Sequence, residues 1–484
     1  MILRMRKEDW LFLAICLGLG ILAQEAFTRT QIGISYFVFI AAFYSAFFWR
    51  FRSFPFRHQR LGWLVLIAVW LLSASYFLYD TEVFYALNIL AIPALVIFHI
   101  ALITGPNQKH WAKPVFLVYI LKRIVQSIAF NAAFTRILAR LAWKKTDNKN
   151  AAVIKKILIG AGISIPVLAV VLSLLISADS QFERIVTGFP GWFSISGESI
   201  FRTLASLFFA FAIFGFLQVN LKKRMEITPI KGSGIGFGID PVIALTLLIL
   251  LDAVYALFVA VQFKYFFSGT LGEGFTYAEY ARRGFFELVF VSLINLTVTV
   301  AVVSFVKQTA SGIWRAIQGT LSVLLIATGV ILSSAFMRLM MYEEAYGFTF
   351  TRVLVHSFMI FLLVILCYTF AKIWLGRLSL IHFYFIASLV YYSVINVINI
   401  DQIVVDRNLD RYTQTGKIDI PYLANMSDTG LLGLVGLYNE HPDVPNLQGV
   451  LYEKKTGISK STAWQSYNLT RAKAEEALRK LQFD

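Results

Sequence analysis

Residues 243–263 read IALTLLILLDAVYALFVAVQF. This run of twenty-one residues holds one formal charge, Asp252, and no helix-breaking proline or glycine. As a helix it would extend about 32 Å, the thickness of a bilayer's hydrocarbon core. A soluble core helix of that length would show a polar face, and this one has none to show. Lipid is therefore its solvent.

The same character recurs along the chain. Apolar runs sit at about 10–27, 32–49, 61–78, 83–104, 157–177, 201–220, 241–263, 285–306, 315–336, 353–373 and 379–399. Their length and lack of alternation predict helices rather than barrel strands, so the fold class is all-α, a polytopic transmembrane bundle of about eleven spans. Composition agrees: 58% hydrophobic, 15% charged, and a mean hydropathy of +0.69 over 484 residues.

The net charge of +16 does not indicate nucleic acid, because a polytopic chain carries its basic residues in loops that set its orientation. With the N-terminus inside, 26 lysines and arginines fall in inner segments, 8 in outer segments up to residue 352, and 10 in the tail after residue 400. That asymmetry predicts an inner N-terminus and an outer C-terminus. Arg4, Arg6 and Lys7 before an apolar run resemble a signal peptide, but Gln24 and Glu25 stand where a small-residue cleavage site would be, so the run is read as a retained first span. The two cysteines, Cys16 and Cys367, lie inside apolar runs and suggest small core residues, with no disulfide framework, metal site or cofactor implied.

Residues 114–145 are the segment that could upset the count. Arg123, Ser127, Asn131 and Thr135 recur every four residues on an otherwise apolar helix, with Arg136, Arg140 and Lys144 beside them. This pattern predicts an interfacial helix with its stripe on the wet face. The organisation that follows is a four-span region 1–104, a basic segment 105–156, a seven-span core 157–400, and an extracytoplasmic helical tail 401–484. In the tail, Ser427 or Asp428 can cap a helix, and Glu475 with Arg479 and Glu476 with Lys480 have the spacing of an exposed helix. The alternating glycines of KGSGIGFGID (231–240) follow no strand and read as a linker, and Asn468-Leu469-Thr470 is too short a pattern to establish glycosylation.

Candidate binding residues fall in three places. In TYAEYARRGFFEL (276–288), Thr276 and Glu279 fit a capping box, and Glu279, Arg283 and Glu287 alternate in sign on one helix face with Arg282 beside them. In MRLMMYEEAYGFTFTR (337–352), Gly347 can reverse the chain, leaving Arg338, Glu343 and Glu344 on one side and Arg352, with His356 a turn later, on the other. Both stretches fit either interhelical ion pairs or a polar vestibule for a charged headgroup or solute. Asp252 stands apart, an acid in mid-span with no base within a turn; Asn295, Asn396, Asn399 and His99 are its candidate partners.

The stretches VQFKYFFSG (261–269), TYAEYARRGFFEL (276–288), MYEEAYGFT (341–349) and RNLDRYTQTGKIDIPYL (407–423) resemble the bacterial multi-pass membrane proteins of the domain-of-unknown-function 4173 family. The resemblance implies a bacterial cytoplasmic membrane and no established activity. Three functions stay open: a permease for a small polar or anionic solute using Asp252; an enzyme on lipid or envelope precursors with Glu279 or Glu343 as base; and a sensor or scaffold whose tail meets a protein partner. Polarity at mid-membrane favours the permease, and no HExxH, GxSxG or P-loop pattern supports an enzyme.

Overall fold

The computed structural model describes residues 5–105, 111–143, 171, 197–222, 239–262, 285–306, 311–458 and 463–483. Among the described residues sixteen α-helices form and no strand. Ten of the helices are long and apolar enough to cross a membrane. The chain is a polytopic helical membrane protein. It divides into two compact units: residues 1–77, 90–227 and 461–467, and residues 78–89, 228–460 and 468–484.

The first unit contains α1 (Lys7–Thr28), α2 (Ile34–Arg50), α3 (Gln59–Leu78, to residue 77), the later part of α4 (Glu82–Thr104), α5 (Pro114–Trp143) and α6 (Gly197–Lys222). The helix α2, with 17 residues, is the short member. The strongest packing is of α1 along α6. It depends on Gly20, where a Cβ would lie 2.2 Å from the Ser206 carbonyl oxygen and 2.8 Å from the Ala210 Cβ. Small residues let two backbones approach when lipid offers no hydrophobic drive to associate. Gly20→Leu is therefore expected to lower the thermal unfolding midpoint in detergent, with an overpacking cost of about 1–3 kcal/mol; an unchanged midpoint would show that the helices part without loss.

The helix α5 also packs on α6, and the first part of its polar stripe, Arg123, Ser127 and Asn131, turns toward the protein rather than to a wet face, whereas Thr135 and Arg136 are exposed. Arg123 is 1% exposed; its Nε donates to Tyr119 Oη at 3.0 Å and its Nη1 to the Val219 carbonyl at 3.4 Å, while Asn131 Nδ2 donates to the Phe211 carbonyl at 2.8 Å. The outward face carries Leu117, Leu121, Val125 and Ile128, all more than half exposed. A guanidinium beside hydrocarbon needs acceptors, and the protein interior supplies them where lipid cannot. Of the cysteines, Cys16 is buried in α1, whereas Cys367 is exposed on α10 (Phe350–Trp374) rather than in the core.

At one end of this unit the start of α1 and the ends of α2 and α6 converge on Asp9, which is fully buried. Its carboxylate accepts from Arg50 Nη2 at 2.6 Å, Lys222 Nζ at 2.6 Å and Gln218 Nε2 at 3.0 Å, and from the backbone N of Arg6 at 2.9 Å.

The second unit contains the α3–α4 turn, α7 (Pro241–Gln262), α8 (Phe285–Phe305), α9 (Ser311–Tyr346), α10, α11 (Leu380–Val397) and a tail of five short helices: α12 (Ile400–Thr415), α13 (Ile420–Met426), α14 (Asp428–Glu440), α15 (Leu447–Thr456) and α16 (Leu469–Lys480). Leu248, Val302, Leu321, Leu324, Ile331 and Leu362 are part of the buried core of α7–α10. The tail has its own core, which includes Val404, Leu423, Leu434, Leu447, Leu451 and Leu478. Ser427 takes the N-cap position of α14, and the pairs Glu475–Arg479 and Glu476–Lys480 form at 3.6 and 2.6 Å. Asn468 caps α16 by accepting from the Arg471 N at 3.1 Å, a structural use for that residue.

Candidate functional site

The core of the second unit holds polar side chains at two depths. The register of its helices follows from their ends. The N of Ile239 donates to the Phe305 carbonyl at 3.1 Å, which brings the start of α7 to the end of α8, and Gln262 at the end of α7 meets α9 at Ser334 and Arg338. Thus α7 runs parallel to α9, and α8 runs antiparallel to both.

The upper level is built around a chain reversal. At 36 residues, α9 extends about 54 Å, so its last turns continue past the hydrocarbon. It ends at Gly347, whose φ of +86° is the left-handed cap that the sequence suggested, and Thr349 caps α10. The tail fastens this reversal: Asn408 Nδ2 donates to the Phe348 carbonyl at 2.8 Å, and Arg411 Nη2 to the Ala345 carbonyl at 2.9 Å.

Across the reversal, Glu343 Oε2 lies 3.1 Å from His356 Nδ1. Glu343 is 2% exposed and its Oε1 is buried with no donor among the described residues. His356 Nε2 lies 3.4 Å from the Phe336 carbonyl oxygen. Arg352 turns away from the acids: it donates to the Gly347 carbonyl and its guanidinium stands 4.3 Å over the Tyr342 ring. Arg338, 6% exposed, donates from Nη2 to Gln262 Oε1 at 3.2 Å, an oxygen that also accepts from Ser334 Oγ at 2.9 Å. Glu344 is exposed, as is Glu287 in the first turn of α8. Glu279, Arg282 and Arg283, with the capping box at Thr276, lie outside the described residues.

The lower level is at mid-membrane. Asp252 is ten residues before Gln262 on α7, about 15 Å along the axis, and ten residues before Ser334–Arg338 on α9 is the region of Thr328. There Asn295 Nδ2 donates to Thr328 Oγ1 at 2.9 Å. Asp252 and Asn295 therefore share a depth, and each has a buried oxygen, Oδ1 in both cases, with no donor among the described residues. Asn295 is fully buried. The other partners considered for Asp252 are engaged elsewhere. Asn396 accepts from Asn88 at 2.7 Å, Asn399 caps α12, and His99 pairs with Tyr44 at 3.0 Å in the first unit.

What the two levels share is buried acceptors that the described residues leave without donors. Among the described residues, three buried oxygens on Asp252, Asn295 and Glu343 lack donors, and an unsatisfied buried acceptor is costly. A proton, or a solute's N–H or O–H, would relieve that cost. Gln262 escaped notice in the sequence, where a glutamine at a span's end looks like a boundary marker; only the parallel register of α7 and α9 shows it bridging Ser334 and Arg338.

Comparison with known proteins yields one match, since no curated protein and no solved structure is similar to this chain. The model of a family described as "Domain of unknown function (DUF4153)" matches residues 66–437. This overturns the resemblance to the 4173 family: the tyrosine, glutamate and arginine blocks that suggested it all fall inside, or within the span of, a match to a different family. The match covers well over half of the 484 residues, and the chain belongs to the DUF4153 family.

Proposed function

We propose that the second unit is the working part of a permease that moves a small polar solute together with a proton. The observation that carries this reading is the Glu343–His356 pair, buried in the end of a membrane bundle with one carboxylate oxygen that has no donor among the described residues. An acid and a histidine sitting together at the mouth of a membrane bundle can pass a proton between them, because the imidazole titrates near neutral pH. Asp252 and Asn295, at mid-membrane in the same bundle, supply a second stop for a proton or for a solute's donors. Arg338, held by Gln262, contributes a fixed positive charge near the upper level.

An enzyme acting on lipid precursors fits less well. Glu343 is too buried to reach a headgroup substrate, and His356 Nε2 faces a carbonyl oxygen rather than a hydroxyl that it could activate.

The full chain reconstituted in liposomes on a solid-supported membrane tests the proposal, with the proton as probe. An acid pH step should drive a transient charge displacement that falls to the level of protein-free liposomes in Glu343→Gln and is reduced in Asp252→Asn. A wild-type response no larger than that of protein-free liposomes, or an undiminished one in both variants, overturns the reading.

A further inference from the structure

The first unit carries a separate basic centre that the permease reading does not use. The start of α1 and the ends of α2 and α6 meet at Asp9. The start of α3 and the end of α4 lie at the same end, because the rings of Phe47 and Phe48 pack on Phe56 at 6.0 Å and the Arg57 N donates to the Ile103 carbonyl at 2.9 Å. Five helix ends thus define one membrane boundary.

Its depth is marked by tryptophan. Trp10, Trp49 and Trp63 each lie within about a turn of a helix end here and are 37%, 37% and 62% exposed. Indole rings settle at headgroup level. The ionic centre beside them is therefore at headgroup level too.

Among the described residues the charges there do not balance. Asp9, fully buried, is shared by Arg50 and Lys222, while Glu8 is 3.7 Å from Arg50 and 3.9 Å from Arg52. Two carboxylates thus face three cations, and the exposed Arg6 and Lys7 add two more on the first turn of α1. Surplus positive charge held at headgroup level attracts an anion, and the anion available at this depth in quantity is the phosphate of an acidic lipid. We infer that this end of the first unit binds the headgroup phosphate of an anionic phospholipid, with Arg52 and Lys7 as the exposed ligands around the Asp9–Arg50–Lys222 centre.

The inference is independent of transport and is tested without it. Native mass spectrometry of the full chain, released from bilayers of mixed phosphatidylglycerol and phosphatidylcholine, should retain phosphatidylglycerol in preference. The exposed pair Lys7→Gln and Arg52→Gln should weaken that retention about thirtyfold, the effect of removing two charges near a headgroup surface. Arg52→Gln alone, expected to weaken it about fivefold, serves if the double variant does not fold. Equal retention of the two lipids, or retention unchanged in the variants, overturns the proposal. Displacement of phosphatidylglycerol by inorganic phosphate also overturns it, and would reassign the centre to a free anion.

Discussion

Asp9→Ala is expected to be the most damaging single substitution in the first unit, costing about 3–5 kcal/mol of stability. The carboxylate is fully buried and ties three helices, with Arg50 and Lys222 each at 2.6 Å. Removing it leaves Arg50 and Lys222 facing each other with only the exposed Glu8, 3.7 Å from Arg50, as a counter-charge, and Gln218 without its acceptor. The loss is therefore larger than the net worth of the ion pairs. Asp9→Asn should be milder in shape but keeps the repulsion, whereas adding Lys222→Met to Asp9→Asn should restore part of the loss. A double-mutant cycle on thermal unfolding in detergent checks this: a coupling between the two sites below about 0.5 kcal/mol would mean that the cluster is not acting as a unit.

Nothing in the sequence announces this centre, because its partners are 41 and 213 residues away from Asp9. The spans themselves were legible, since a bilayer imposes the same demand on every helix that crosses it. The expected 241–263 and 353–373 correspond to Pro241–Gln262 and Phe350–Trp374. The expected span 315–336 falls short of α9, which runs to Tyr346. Hydropathy ends where lipid ends, but backbone hydrogen bonding continues through Arg338 and Glu343. The expected span 157–177 lies outside the described residues, apart from residue 171.

The stripe on α5 shows a different limit. Its period was plain, but periodicity does not say which side of a helix is wet, and Arg123 and Asn131 turn inward while Thr135 and Arg136 stay exposed. At the candidate site, the reversal at Gly347 was readable from local chemistry. The pairing of Glu343 with His356 rather than with Arg352 was not, because it depends on how α9 and α10 are rotated against each other. Asp252 was visible as an oddity; its level with Asn295 required the helix register.

The second large effect concerns pH, and it comes from the turn between α3 and α4 in the second unit. The tail helices grip this turn: the Asp428 N donates to Asp80 Oδ2 at 2.9 Å, Thr81 Oγ1 to Asp401 Oδ2 at 3.1 Å, and Thr470 Oγ1 to the Leu78 carbonyl at 2.6 Å. Burial, reinforced by the neighbouring Asp428 carboxylate and by Asp401, pushes the Asp80 carboxyl up from 3.8 to about 7. Burial also raises Asp401. Arg471, 3.2 Å from Asp428, is the cation that partly offsets this acidic group.

An acid whose pKa is higher folded than unfolded makes the folded state bind more protons, so stability falls as pH rises between the two values. For Asp80 that window runs from about 4 to about 7, and above it the full cost is present. Asp401 adds a change of the same sign. The thermal unfolding midpoint of the full chain should therefore drop from mildly acid to mildly alkaline solution, and hydrogen exchange at the start of α14 should quicken over the same interval. Asp80→Asn removes the charge and keeps an acceptor for the Asp428 N, so it should flatten the profile and raise the midpoint on the alkaline side. A variant that keeps the wild-type slope would place the pH dependence elsewhere, and the grip on the turn would then owe nothing to a proton on Asp80.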